Sequence, residues 1–342
     1  MKKIVKISSL LLLLVGLAVA YIYFGVFEQK VNTDGKESVY FYVKSQSTLD
    51  DLVDGLLQEK IVDSKAKFAW LAELRNLKGN IYAGRYTIIS GMSWTDLVIY
   101  LRQGKIDEVQ VTFNNVRTLK QLAEKVSLQI EASESDLLEQ LVNEELVAER
   151  GYQQETFLAV FIPNTYKMYW NSSAKEFVDR MMMEYKRFWN KARMAKAKAI
   201  NLSPVEVSVL ASIVQSEQNR FSDEWPIIAG LYLNRLKKGM KLQSDPTVIY
   251  AWGDFTIRRV WNKHLTIDNP YNTYKFTGLP PGPIRVPSSS VLDAVLNYTK
   301  HKYIFMCANP KIGGKHSFAT TLAGHNLNAA KYRAFMRKSK IR

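Results

Sequence analysis

Glu217 is a carboxylate in an apolar stripe. It closes the run Ser203-Pro204-Val205-Glu206-Val207-Ser208-Val209-Leu210-Ala211-Ser212-Ile213-Val214-Gln215-Ser216-Glu217. Stepping back from it by three, four and seven positions gives Val214, Ile213 and Leu210, the side of a helix that turns toward a core. Ser203, Pro204 and Glu206 are the start signal, a capping box with proline at the first helical position. A carboxylate on such a face must be paired, protonated or set at a cleft. Desolvation raises a carboxyl pKa, which is what a general acid needs near neutral pH. The competing reading is a helix-end glutamate paired with Arg220 and partly solvated.

Three dense polar clusters follow. Asn234-Arg235 ends an apolar helix carrying Ile227, Ile228, Leu231 and Leu233. Gln243-Ser244-Asp245-Pro246-Thr247 comes next, and Tyr271-Asn272-Thr273-Tyr274 leads into Gly278-Leu279-Pro280-Pro281-Gly282-Pro283-Ile284. The last segment is stiffened by its prolines, while its glycines permit close backbone approach. Amides, hydroxyls and aromatic rings together suit a sugar, whose hydroxyls take hydrogen bonds and whose ring faces stack. Taken singly, each cluster is also ordinary turn chemistry.

Other catalytic schemes find little support. The four histidines His264, His301, His316 and His325 are too scattered for a local zinc motif, and neither H-x-x-x-H nor C-x-x-C occurs. No metal and no cofactor is called for. G-x-S-x-G and Walker-type loops are missing from the sequence. His316-Ser317 is half of a nucleophilic pair with no local partner. Gly313-Gly314 reads as a hairpin turn. Cys307, the single cysteine, excludes an intrachain disulfide; the apolar run Tyr303–Ala308 around it implies a buried structural thiol.

Several elements must position these residues. The uncharged stretch Ile7–Phe27 follows Lys2, Lys3 and Lys6, and its 21 positions span about 30 Å as a helix, the thickness of a bilayer core. The positive flank places the N-terminus in the cytoplasm and everything after Phe27 outside. Ala18-Val19-Ala20 resembles a signal-peptide cleavage site, but the apolar run outlasts a typical signal sequence, which favours an uncleaved anchor. Residues 28–37 read as a polar linker. A strand over Val39–Val43, a helix capped at Ser47 or Thr48, a helix over Ser64–Leu77, a strand-rich Ile81–Ile89 and a helix from Ser93 ending at Gly104 follow. Three such strand–helix beginnings echo one another weakly, which is either a repeated wall-binding module or plain α+β alternation. Beyond Val109 come helices near Thr118–Val126 and Ser135–Val142, and long helices over Ala174–Ala199. With 342 residues, 47% of them hydrophobic, the chain is long enough for two or three folded domains. Its net charge of +15 implies anionic partners. Lys186, Arg187, Lys191, Arg193, Lys196 and Lys198 form a basic cluster that reads as a solvated helix face. Outward topology argues against nucleic acid.

In order, the motifs Ala211-Ser212-Ile213-Val214-x-x-Glu217, Leu233-Asn234-Arg235-Leu236, Leu242-Gln243-Ser244-Asp245-Pro246-Thr247-Val248-Ile249-Tyr250, Tyr271-Asn272-Thr273-Tyr274, Gly278-Leu279-Pro280-Pro281-Gly282-Pro283-Ile284 and His316-Ser317-Phe318 closely resemble the endolytic murein transglycosylases, the MltG or YceG-like family. The resemblance covers most of the chain. It implies an α+β fold: an N-terminal transmembrane helix (residues 7–27, after a tail of 1–6), a small LysM-like α/β module that binds glycan (38–108), then a mixed α+β catalytic region (109–342, core 203–326). It implies that Glu217 is the catalytic acid and base of a lyase that cuts nascent peptidoglycan strands internally, leaving 1,6-anhydro ends. Asn234, Gln243, Ser244, Asp245, Tyr250, Tyr271, Asn272, Thr273 and His316 match the family and are expected to line the glycan groove, although Asp245 reads equally well as a helix cap. Implied partners are glycan strands, the inner membrane and penicillin-binding-protein synthases. Two positions depart from the pattern: Gln215 stands where relatives often carry Glu, and Asn164 where Asp is frequent. The alternative from another class is a non-catalytic, glycan-binding scaffold for wall synthases.

Overall fold

The computed structural model describes residues 2–338. It divides into two compact units. Unit 1 holds residues up to Val111 together with Leu128–Ala132 and Tyr166–Ser173, and unit 2 holds the remainder. The two added segments join unit 1 from far along the chain, so the division is not a single cut in the sequence.

Within unit 1, β1 (Ser38–Val43) and β2 (Gly84–Ile89) pair antiparallel, Ser38 opposite Ile89 and Val43 opposite Gly84. Strand alternation decides which side chains go in. Phe41 and Val43 of β1 and Tyr86 and Ile88 of β2 are buried, whereas Tyr40 and Tyr42 face out. Helices Leu49–Gln58 and Lys65–Leu74 lie between the strands in the chain, and Trp94–Gln103 follows. Two of these three begin with complete capping boxes, Thr48 with Asp51 and Ser93 with Asp96, which satisfy amides the helix itself leaves free. Gly104 ends the third helix in the left-handed conformation, at φ 62°. Val53, Leu56, Phe68, Leu71 and Leu97 fill the core, with Phe68 and Trp94 edge to face at 5.4 Å. The polar stretch 28–37 is not a free tether: Val31 N–H donates to the Met92 carbonyl and Asn32 N–H to that of Ile61. Before it, helix Lys2–Ile22 runs on as a π-helical turn, Tyr23–Phe27. Ile7–Phe27 is long and apolar enough to cross a bilayer as one helix.

Unit 2 is built around a buried helix, Pro204–Glu217, every residue of which from Val207 to Val214 is buried. It packs on helices Trp225–Lys237, Asp245–Trp252 and Ser289–Leu296. The polar residues on this buried helix have work to do. Ser212 Oγ accepts the Ile284 N–H at 3.0 Å, and Gln215 Oε1 accepts the Ser288 N–H at 2.8 Å. They fix the proline-rich segment and the start of the Ser289 helix to the Glu217 helix. At Gly230, a Cβ would collide with the Thr299 carbonyl and the His301 ring, so only glycine allows this approach. Strands β3 (Glu108–Phe113) and β4 (Asn164–Tyr169), most of whose residues belong to unit 1, form a second two-stranded sheet. The third is a hairpin of β5 (Phe305–Ala308) and β6 (His316–Ala319), with Ala308 opposite His316. Its connection includes Gly314 at φ 88°, where the sequence pattern placed a turn.

The capping box expected at Ser203 is present: Ser203 N–H donates to Glu206 and Glu206 N–H to Ser203 Oγ. Ser203→Ala should lower stability by about 1 kcal/mol in urea unfolding, the usual cost of a lost N-cap. Serine-to-threonine at the same position should cost only a fraction of that.

Candidate active site

Glu217 is the last residue of its helix and stands at the wall of an open cavity of about 300 Å³. Asp245, Tyr274, Gln243, Arg235 and His316 share that wall. Its Oε1 accepts two hydroxyl hydrogen bonds, from Tyr232 Oη at 2.9 Å and from Ser244 Oγ. Among the described residues no hydrogen bond reaches Oε2. No ion pair joins Glu217 to Arg220, whose backbone N–H instead donates to Gln218 Oε1 at 3.0 Å. Burial pushes the Glu217 carboxyl up from the ordinary range; the Ser244 and Tyr232 hydrogen bonds oppose this, the Asp245 charge adds to it and the His316 side opposes it. Tyr232 is buried and its phenol is raised well above its usual value, chiefly by burial and then by the Glu217 charge, so it stays a donor at neutral pH.

The donors are themselves held. Ser244 N–H donates to Thr273 Oγ1 at 3.0 Å, and Thr273 Oγ1 lies 2.8 Å from Thr247 Oγ1. Ser244, not Asp245, is the residue before the helix, and Asp245 is the first helical residue. Asp245 Oδ1 accepts the Tyr274 hydroxyl at 2.6 Å, so this carboxylate is part of the cavity wall. Arg235 is buried and frames the floor: Nε donates to the Ile304 carbonyl at 2.7 Å and Nη1 to that of Leu242 at 2.8 Å. It thereby joins the hairpin to the 241–243 loop.

Of the nine residues expected beside Glu217, the structure gathers Gln243, Ser244, Asp245 and His316 around it, with Thr273 one step behind Ser244. Asn234 instead donates to the carbonyls of His301 and Tyr303, at 2.8 and 3.0 Å. Asn272 is fully buried and donates to Leu265 and Ile267 carbonyls, each at 2.9 Å. Tyr250 and Tyr271 pack on each other at 4.7 Å, and Tyr250 lines a neighbouring cavity. Cys307 corrects an expectation: it is half-exposed on β5 and lines the Glu217 cavity, because a two-stranded hairpin leaves one face of the strand open. Burial moves its thiol upward, away from thiolate chemistry. Gln215 faces Ser288 and not the cavity, and Asn164 Oδ1 accepts the Thr165 N–H.

Sequence reasoning missed Tyr232 and Glu224, and named Tyr274 only as part of its cluster. Glu224 is buried and takes three hydrogen bonds, from the His316 N–H, its ring Nδ1 and Gln218 Nε2, at 2.9, 2.9 and 2.7 Å. Gln218 Nε2 also donates to the Gly314 carbonyl at 2.7 Å, so Glu224 and Gln218 together lock the hairpin beside Glu217. The available signal was helical spacing: Tyr232 falls on the buried side of the Ile228–Leu231 helix.

A carboxyl raised by burial and held by two hydroxyl donors, at an open polar cleft, has the chemistry of a general acid. The chain belongs to the YceG-like family, whose sequence model matches residues 41–331. It is 28% identical over 328 residues to the endolytic murein transglycosylase of Bacillus subtilis, covering 92% of this chain and 90% of that protein. It is 26% identical over 338 residues to the endolytic murein transglycosylase of Streptococcus pneumoniae, covering 88% of this chain and 60% of that longer protein. The crystal structure of a yceG-like protein of Listeria monocytogenes superposes with a TM-score of 0.57 at 27% identity, covering 86% of this chain and all but 1% of the other (99% covered).

A carboxyl raised in the folded state is stabilising below its unfolded pKa and loses that contribution as pH climbs through the folded value. Glu217→Gln keeps an acceptor for Tyr232 and Ser244 without the buried charge. The variant should therefore melt above the wild type at neutral pH, and the gap should close as pH falls below the ordinary carboxyl range. Calorimetry across pH 3–8 measures it; a constant gap would show that Glu217 is not raised. Glu224→Ala strips three donors of their acceptor and should cost about 2–4 kcal/mol in urea unfolding.

Proposed function

We propose that this protein is a membrane-anchored endolytic murein transglycosylase, a lyase that cuts peptidoglycan strands internally at the MurNAc–GlcNAc β-1,4 bond. The observation that carries this reading is the Glu217 carboxyl: raised by burial, gripped at Oε1 by Tyr232 and Ser244, with no hydrogen bond to Oε2 among the described residues, on a residue that lines the cavity. Glu217 protonates the glycosidic oxygen and the C1–O bond breaks toward an oxocarbenium-like state. The 6-hydroxyl oxygen of the same MurNAc bonds to C1, and its proton returns to Glu217. No water is consumed, and the carboxyl ends as it began. The two hydroxyl donors serve this cycle because they stabilise the ionised form while burial favours the protonated one, bringing the two closer in energy.

The family membership and the two named relatives support the activity. Gln243, Asp245 and His316 flank the reacting sugar, with Tyr232 and Ser244 as positioning residues. The βααβ order of unit 1, with its antiparallel pair, supports a LysM-like module. Its outward side has an open trough of about 760 Å³ lined by Tyr40, Tyr42, Trp170 and Arg85, surfaces on which sugar rings stack. Helix Ile7–Phe27 anchors the protein in the cytoplasmic membrane, N-terminus inside, so that the enzyme works on new strands beside wall synthases and limits their length.

A second reading rests on Asp245. It lines the same cavity as Glu217, and glycosidases that hydrolyse use two carboxylates. Product mass separates the two. Full-length protein digesting glycan strands should release 1,6-anhydro-muropeptides, and Glu217→Gln should lower the rate by about 10²–10⁴-fold, the contribution of a general acid. Reducing-end products would mean hydrolysis instead. No product, with strand binding intact in both proteins, would leave the scaffold alternative.

A further inference from the structure

A second, smaller cavity of about 110 Å³ lies beside the end of the Glu217 helix. Ser216 and Asn219, which bracket Glu217 in the chain, line it, as does Pro246, which follows Asp245. Its polar contents are unusual. Arg117 and Arg285 both reach it, and among the described residues neither makes an ion pair. Arg285 is buried, 6% exposed, yet its guanidinium meets only neutral acceptors: Asn219 Oδ1 at 2.9 Å and Asn115 Oδ1 at 2.6 Å. Its Nε is enclosed and has no partner among the described residues. Arg117 is half-buried, with its guanidinium 4.7 Å from the Phe255 ring centre and no side-chain acceptor.

A buried guanidinium without a counter-charge is expensive, and a second cation beside it adds repulsion. Burial and then the Arg117 charge both pull the Arg285 pKa below its usual value, which reports the same imbalance. Two elements far apart in the chain are fastened so as to keep the cations together: Val286 N–H donates to the Val116 carbonyl at 2.8 Å. A fold that only needed packing here would use apolar residues. Planar guanidinium forks suit a carboxylate, and the cavity is sized for such a group rather than for a saccharide.

We propose that the Arg117–Arg285 cavity is an anion subsite that takes a carboxylate of the peptide stem borne by the muramyl sugar next to the scissile bond. This rests on the glycan-strand reading of the Glu217 site and deepens it. The subsite makes the enzyme select peptide-bearing strands over strands already stripped of peptide.

The test compares glycan strands of equal length, peptide-bearing and amidase-stripped, with the full-length protein. Wild type should show a higher kcat/KM on peptide-bearing strands, and Arg285→Met should cut that preference by about 10- to 100-fold, the scale of a lost hydrogen bond to a charged group. Arg117→Gln alters a half-buried side chain with no structural hydrogen bond, so it keeps the test decisive if the Arg285 variant fails to fold; it should lower the preference in the same direction. Equal slowing on both substrates, or a preference unmoved by Arg117→Gln, would overturn the proposal. Calorimetric binding of both strand types to Glu217→Gln separates the two claims. Anhydro product from wild type without any preference removes the subsite and keeps the activity. Preferential binding lost in Arg117→Gln, with no product from wild type, keeps the subsite and removes the activity.

Discussion

The carboxyl of Glu217 is held between two opposed demands, and the residues around it are arranged to hold both. Its burial beside a packed helix drives it toward the neutral acid. The hydroxyls of Tyr232 and Ser244 pull it toward the anion. Burial outweighs the two hydrogen bonds, so the carboxyl stays raised, and both donors grip the same oxygen, Oε1. The acid–base cycle proposed for Glu217 requires such a carboxyl, one whose proton leaves and returns with little reorganisation of the protein.

Keeping that balance requires rigid donors, and the rigidity comes from buried polar groups that serve no chemistry of their own. Ser244 is set by Thr273 and Thr247, the loop before it by Arg235, and the hairpin by Glu224 with Gln218. Each of these groups would be costly if left unpaired, and each is satisfied by an element distant in sequence. The same reasoning isolates Arg285. Among these buried charged side chains it differs in that its guanidinium meets only two asparagine side-chain oxygens, has no counter-charge, and keeps an enclosed Nε with no partner among the described residues.

Much of the local structure was legible in the residues. Capping boxes at Thr48, Ser93 and Ser203, the left-handed end at Gly104, the turn at Gly313-Gly314 and the apolar span Ile7–Phe27 are local signals, decided by a few neighbouring side chains and amides. Periodicity put Glu217 on a buried stripe, and the stripe is buried. Expectations weakened where a residue's role depends on what lies opposite. Cys307 looked like core because its neighbours are apolar, yet a two-stranded hairpin covers only one face. Asn234 and Asn272 looked like sugar ligands because amides suit sugars, yet carbonyls of distant loops occupy their donors.

The sequence by itself therefore determined that an acid sits on a helix's inner face, that the helix starts at Ser203 and ends near Glu217, and that an apolar helix long enough to cross a bilayer precedes the folded part. Tertiary structure decided which groups touch that acid. Tyr232 lies 15 residues from Glu217 and Ser244 lies 27, and Glu224 meets His316 across 92. Local chemistry writes helices and turns because their hydrogen bonds close within a few residues. A protonation equilibrium is written by whatever the packed chain brings within a few ångströms, and no local pattern records that.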